Sequence, residues 1–300
     1  MASLLRRVRT TLTIHAHRKV RGLLDGEYTS VFHGRSLEFD DIRPYIPGDE
    51  IKDVDWKATA RLGSLMTRRY VASRKHTVVL VVDTGRSMAA LAASGESKKD
   101  LAILAAGTAG YIASRHGDLV AMVSGDEESS RYTPPESTEA HLERMLQIIH
   151  DSTRVDGPHS NLAKQLDFIG RAFRRGRILI VISDDRPLGD DEQRLLRQLS
   201  MQHEILWMTI GDADLMAPAH AGTTMRDVDS AIDLPQWVRE NSALRAEFEA
   251  SVADRAAASE DLFDSLSISS QRIGSEAQIV PGFFRLMSLH RNAVHKHARR

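Results

Sequence analysis

From residue 77 onward, short apolar runs alternate with longer amphipathic segments. Thr77–Asp83 is a continuous β-branched run, the texture of a strand buried on both faces. Small apolar residues at helical spacing over 100–116, closed by Gly117, predict a helix. The same reading gives a strand over 118–124 and helices over 139–150 and 161–174. It continues with a strand over 177–183, a helix over 190–201 and a strand over 204–210. Residues 227–234 suit a short hairpin or edge element. A long helix rich in Ala, Glu and Asp spans 242–269, a last strand is expected over 277–280, and a basic helix closes the chain. Upstream, Leu5, Val8, Leu12, Ala16, Val20 and Leu24 recur every three or four residues between arginines, which predicts a basic amphipathic helix ended by Gly26. Residues 27–70 are polar and aromatic, with turn chemistry at Arg43-Pro44 and Pro47-Gly48-Asp49, and read as short strands or extended loops.

The strand–helix alternation implies an α/β domain, a mostly parallel sheet with helices on both faces. A basic helix (1–25) and a small β-rich element (26–75) precede it, and the α/β domain takes 76–300. In such sheets ligands bind outside the carboxyl ends of the strands, where strand order reverses. Two expected strands end in acids there, at Asp83 and at Ser183-Asp184-Asp185. The loop Asp83-Thr84-Gly85-Arg86-Ser87-Met88 adds a hydroxyl, and Gly157-Pro158-His159-Ser160-Asn161 adds another as it opens a helix. Two carboxylates and two hydroxyls are hard oxygen donors of the kind Mg²⁺ takes, with coordination positions left for water or a partner. The same residues also suit structural work: Asp83 bracing a turn, Ser87 and Ser160 capping helices, Asp184 and Asp185 in a solvated loop.

The spacing resembles the metal-ion-dependent adhesion site of von Willebrand factor A domains, in which an aspartate is followed by hydroxyls two and four residues on, then by a distant threonine and a late aspartate. Asp83 and Ser87 match, Ser160 stands for the threonine and Asp184 for the late aspartate. Gly85 replaces the first serine and removes a direct ligand; Arg86 is expected to add a cation beside the ion. A longer signature lies upstream: Gly26-Glu27-Tyr28-Thr29-Ser30, Gly34-Arg35-Ser36-Leu37-Glu38-Phe39-Asp40, Arg43-Pro44-Tyr45-Ile46-Pro47-Gly48-Asp49 and Asp55-Trp56-Lys57-Ala58-Thr59-Ala60-Arg61. It resembles the bacterial family called domain of unknown function 58. The resemblance implies a von Willebrand A-like (Rossmann-like) fold behind the β-rich element. It also implies partnership with a MoxR-type AAA+ ATPase in chaperone-like assembly or maturation of another complex. Many members carry an N-terminal membrane hairpin, whereas this chain offers only the basic helix. Within the signature, Arg43, Asp49, Asp55 and Arg61 are expected to form a charge-paired network under Trp56; alternatively Tyr45, Trp56, Arg43 and Arg61 form a partner-binding surface, since these residue types dominate interface hot spots.

Charge sharpens the reading. Residues 1–75 carry 15 Lys/Arg against 9 Asp/Glu, while the whole chain has 40 against 41. The basic helix suits either a solvated face on its own domain or peripheral contact with an anionic membrane; a nucleic-acid partner is not expected. The tail His290, His295, Lys296, His297, Arg299 and Arg300 lacks metal-finger spacing. Cysteine is absent, which excludes disulfides, thiolate metal sites and a cysteine nucleophile, and points to the cytoplasm. No run approaches the ~20 apolar residues of a membrane span. The chain has no phosphate-binding Gly-x-x-x-x-Gly-Lys loop, no Gly-x-Ser-x-Gly, no His-Glu-x-x-His and no Gly-x-Gly-x-x-Gly. The sequence therefore predicts a non-enzymatic binding module that grips a partner carboxylate at a degenerate adhesion site. A metal-dependent hydrolase and a metal-free interaction scaffold are the alternatives.

Overall fold

A computed structural model describes residues 3–15, 37–47, 49–50, 53–72, 76–214 and 225–297. The expected helical residues 16–24, the helix end at Gly26, the signature segments 26–30 and 34–36, Gly48 and the tail residues 299–300 lie outside them.

A six-stranded sheet organises the molecule. Strands β3 (Thr77–Asp83), β4 (Leu119–Gly125), β6 (Ile178–Asp184), β7 (Glu204–Ile210) and β10 (Ser269–Ile273) run parallel, and β5 (Ser130–Glu136) pairs antiparallel with β4. The order is β10-β7-β6-β3-β4-β5, so the chain steps outward in opposite directions from β3 and from β6. Those two central strands are adjacent, and their carboxyl ends bring Asp83 and Asp184 to the point where strand order reverses. This is the von Willebrand A-like architecture that the resemblance implies.

Helices cover both faces, which is why the central strands need no polar alternation. Alternate residues of β3 enter different cores: Val78, Leu80 and Val82 one, Val79 and Val81 the other. The first core is closed by α1 (Leu4–His15), α3 (Lys98–Arg115), α4 (Glu139–Ser152) and α9 (Glu276–His297). The second is closed by α5 (Leu162–Ala172), α6 (Asp190–Ser200) and Phe263 near the end of α8 (Ser242–Ser265). The glycine and alanines of α3 admit close neighbours; a Cβ on Gly107 would lie 2.5 Å from a Val8 methyl carbon of α1.

The basic helix is thus packed on the α/β domain through Leu5, Val8 and Leu12. Arg7 pairs with Glu276 at 2.7 Å and Arg9 with Glu139 at 3.3 Å. At its start, Glu143 accepts from the backbone amides of Leu4 (3.0 Å) and Leu5 (2.8 Å) and from the Ser3 hydroxyl (2.9 Å), filling donors that a helix N-terminus leaves open. No described helix is long and apolar enough to cross a membrane.

Three elements differ from the sequence reading. β5 was not expected because it holds Pro134 and Pro135; only an edge strand tolerates them, and β5 is one. The last strand is Ser269–Ile273, and 277–280 belongs to α9: the strand is polar because it forms the other edge, while the apolar residues face the core from a helix. The helix expected to reach 269 stops at Ser265, and Ser267 at φ +57° turns the chain into β10.

The upstream element is not purely β. Strands β1 (Leu37–Pro44) and β2 (Met66–Ala72) pair antiparallel, with α2 (Trp56–Leu62) between them. Asp55 caps α2 by accepting from the amides of Lys57 and Ala58, both at 3.0 Å, and Gly63 ends it at φ +69°. A two-residue ladder of β8 (Met225–Arg226) and β9 (Asp233–Leu234) precedes a short helix, α7 (Gln236–Glu240), in keeping with the expected hairpin.

Candidate metal-ion site at the sheet switch point

The structure brings Asp83, Ser87, Ser160 and Asp184 together. After β3 the chain makes a 3-10 turn over Arg86–Ala89, anchored by the fully buried Met88. The loop entering α5 lies against that turn. The Arg86 amide donates to the Pro158 carbonyl (2.8 Å) and the Arg86 Nε to the Gly157 carbonyl (2.9 Å), while the Ser87 and Ser160 hydroxyls bond each other at 2.6 Å. The Glu127 amide, donating to the His159 carbonyl at 2.8 Å, ties the same loop to the β4–β5 turn.

Gly85 is what permits this closure. A Cβ there would stand 2.4 Å from the Cα, N and Oγ of Ser160. The place of the missing serine is therefore filled by the loop that carries Ser160.

Asp83 Oδ1 accepts from the Gly85 amide at 2.9 Å, but Asp83 Oδ2 and Asp184 Oδ1 are buried without a hydrogen-bond partner. Such orphaned carboxylate oxygens are costly, and burial disfavours their charged form. Burial, reinforced by the charge of Asp184, pushes the Asp83 carboxyl up to about 6; the Gly85 amide, the neighbouring Ser160 hydroxyl and Arg186 pull it partly back. Burial also raises Asp185, against the pull of Arg272, with which it is paired.

Two fixed cations face Asp184, and neither is Arg86. The Lys98 ammonium lies 3.7 Å from Asp184 Oδ2 and pairs with Asp212; Arg186 Nε lies 3.8 Å from Asp184 Oδ1 and its guanidinium pairs with Glu192. Arg86, expected beside the ion, donates its Nε to the Gly157 carbonyl of the loop that carries Ser160. Four carboxylates (Asp83, Asp184, Asp212 and Glu192) thus meet two cations (Lys98 and Arg186), and Asp185 is paired with Arg272, so carboxylates outnumber cations around Asp184.

These residues fit Mg²⁺ in donor type: two unpartnered carboxylate oxygens and two hydroxyls, with Ser87, Ser160 and Asp184 lining open space. Only two carboxylates take part, and among the described residues no group of three His, Cys, Asp or Glu is arranged to hold a metal. The open space is a cleft of about 1180 Å³, lined also by the exposed Leu91 and Val155 and by Phe248, Val252 and Ala256 of α8. His159 does not complete a triad with Ser87 and Asp83, since its Nδ1 bonds Asp229 at 2.6 Å.

Sequence reasoning missed Lys98, Arg186, Asp212 and the α8 wall. The strand-end position of Ser183-Asp184-Asp185-Arg186 carried a usable signal for Arg186. Nothing in the local pattern of Lys98-Lys99 distinguishes a buried ammonium from a solvated pair.

In the upstream element Arg43 pairs with Asp49 at 2.7 Å, Asp55 caps α2 and Trp56 stands 64% exposed. Trp56 and Arg61 lie exposed on α2 and Tyr45 is half-buried. The Tyr45 amide, donating to the Leu65 carbonyl at 2.8 Å, and the Asp55 amide, donating to the Met66 carbonyl at 2.8 Å, tie both segments to the start of β2.

Comparison with known proteins agrees with the signature. The family model "Protein of unknown function DUF58" matches residues 41–258. Uncharacterized proteins of Mycobacterium tuberculosis and Mycobacterium bovis are each 30% identical over 253 residues, spanning 82% of this chain and 77% of theirs. Among solved structures, an aerotolerance-related membrane protein from Bacteroides fragilis aligns with a TM-score of 0.46 at 16% identity, over 72% of this chain and 98% of its own. A von Willebrand factor type A protein from Catenulispora acidiphila aligns with a TM-score of 0.41 at 13% identity, over 74% and 44%. By its family model and its mycobacterial relatives, the chain belongs to the DUF58 family of proteins of unknown function.

Proposed function

We propose that the chain is a non-enzymatic protein-binding module whose notch takes one divalent cation of the Mg²⁺ type and, through it, a partner's carboxylate. The observation that carries this reading is the pair of buried oxygens without a hydrogen-bond partner, Asp83 Oδ2 and Asp184 Oδ1, in a notch short of positive charge. When bound, the ion supplies that charge and an open coordination position. The chain's own residues do the rest. Ser87 and Ser160 present hydroxyls held 2.6 Å apart, and the Gly85 amide fixes the rotamer of Asp83. The α8 wall and Leu91 offer apolar surface to the segment on which the carboxylate arrives. Without the ion, the surplus of carboxylates repels a carboxylate ligand, so partner capture requires the cation.

The family resemblance supplies the partner class, a MoxR-type AAA+ ATPase, and the role, chaperone-like assembly or maturation of another complex. Trp56 and Arg61, exposed on α2, suit the docking face toward that ATPase. Against a hydrolase, no histidine is among the described residues that line the cleft.

Calorimetric titration with Mg²⁺ tests the reading. Wild type is expected to release heat at one site, and Asp83→Ala and Ser160→Ala to lose or weaken it. Equal heats for all three proteins, or none for wild type, overturn it.

A further inference from the structure

Lys98 is the least expected charge in the molecule. It is the first residue of α3, its side chain is 1% exposed, and its amide is fixed to the Ala90 carbonyl at 2.9 Å. A buried ammonium must be paired, and this one has two carboxylates within reach. It is hydrogen-bonded to Asp212 Oδ1 and stands 3.7 Å from Asp184 Oδ2, beyond the 2.7–3.2 Å of a hydrogen bond.

The two carboxylates differ in place. Asp184 is buried in the notch, whereas Asp212 is 51% exposed on the cleft rim. The rim segment is held in position where Asp212 bridges Ala92 and the Ala213 amide donates to the Leu91 carbonyl at 3.1 Å. A flexible lysine stem between two such acids has two stations. On Asp212 it leaves Asp184 to the cation; on Asp184 it bonds Oδ2 and sets its fixed charge beside the Oδ1 that the cation takes.

We infer that Lys98 is an internal counter-ion that competes with the divalent cation for Asp184, and that Asp212 is the anchor that holds it away. The inference rests on the cation reading above and adds its regulation. A basic side chain of a partner that pairs with the exposed Asp212 releases Lys98 toward Asp184 and expels the cation. An acidic ligand in the cleft leaves the anchor intact. Cation occupancy is thereby coupled to the charge of what docks on the rim, with a coupling of the size usual between linked sites, about tenfold.

The test is a double-mutant cycle in the full chain, read by Mg²⁺ titration calorimetry, with thermal unfolding to confirm that each variant is folded. Lys98→Met should bind Mg²⁺ about tenfold more tightly than wild type, and Asp212→Asn about tenfold more weakly. In the Lys98→Met background, Asp212→Asn should change affinity by less than about threefold, because Asp212 acts through the lysine. Wild-type affinity in Lys98→Met, or an undiminished Asp212→Asn effect in the double variant, overturns the counter-ion role while leaving the cation site standing. Absence of Mg²⁺ binding in every protein overturns the cation reading and this inference with it.

Discussion

Restoring the serine that the adhesion-site pattern calls for at position 85 should damage this site rather than repair it. A Cβ on Gly85 falls 2.4 Å from the Cα, N and Oγ of Ser160, about 1 Å inside ordinary contact, and two of those atoms are backbone or fixed to it. Relief requires the 157–160 loop to retreat. That loop is held by the Arg86 amide on the Pro158 carbonyl, by Arg86 Nε on the Gly157 carbonyl and by the Ser87–Ser160 hydroxyl pair. Overpacking of this kind costs about 1–3 kcal/mol and a lost hydrogen bond about 1 kcal/mol more, so Gly85→Ser, with the Ser87–Ser160 bond broken, should lose about 2–4 kcal/mol of stability. Urea unfolding reads the loss, and Mg²⁺ titration should show weaker binding, since Ser160 moves away from Asp83. A Gly85→Ser protein of wild-type stability that binds Mg²⁺ more tightly would refute the reasoning. It would mean that the loop opens freely to admit a fifth oxygen.

Other expectations follow from the same geometry. Burial disfavours the charge on Glu143, but hydrogen bonds from the Leu5 amide, Gln147, the Leu4 amide and Ser3 outweigh it and hold the carboxyl below its usual range. A depressed carboxyl contributes stability above its unfolded value that is lost as pH falls through the folded one. Protection of the α1 amides, measured as hydrogen exchange relative to the intrinsic rate at each pH, should therefore fall as the solution is acidified below about pH 4, and Glu143→Gln should lower protection already at pH 7 while flattening that dependence. Trp56→Ala should change folding stability by less than about 0.5 kcal/mol, because the ring is 64% exposed; loss of co-purification with an AAA+ ATPase would then mark a docking face rather than a folding defect. Phe248→Ala on α8 should leave Mg²⁺ affinity unchanged and weaken capture of a partner in pull-down, because it lines the cleft with apolar surface and offers no oxygen donor.

What the sequence made legible follows from how strongly each segment is constrained. β3 and β7 fall within the expected bounds because a strand buried on both faces allows one residue texture over one length. At the sheet edges that constraint relaxes. Pro134 and Pro135 are compatible with β5 only because one side of it pairs with nothing, and Ser269–Ile273 is polar because it is the opposite edge. The four oxygen-bearing residues were legible because they sit at strand ends and helix starts, places the topology fixes from order alone. Their counter-ions were not. Lys98 meets Asp212 across 114 residues, and no local pattern specifies a contact of that range. The neighbour that sequence proximity nominated, Arg86, pins the loop that carries Ser160.

The account stands on one divalent ion held between Asp83 and Asp184. Electron paramagnetic resonance of Mn²⁺ titrated into the purified chain measures this directly, since bound ion is lost from the free-ion signal. One Mn²⁺ per chain in wild type, displaced by Mg²⁺ and absent from both Asp83→Asn and Asp184→Asn, is the predicted result. A wild-type chain that leaves all Mn²⁺ free, or variants that retain the site, would contradict it.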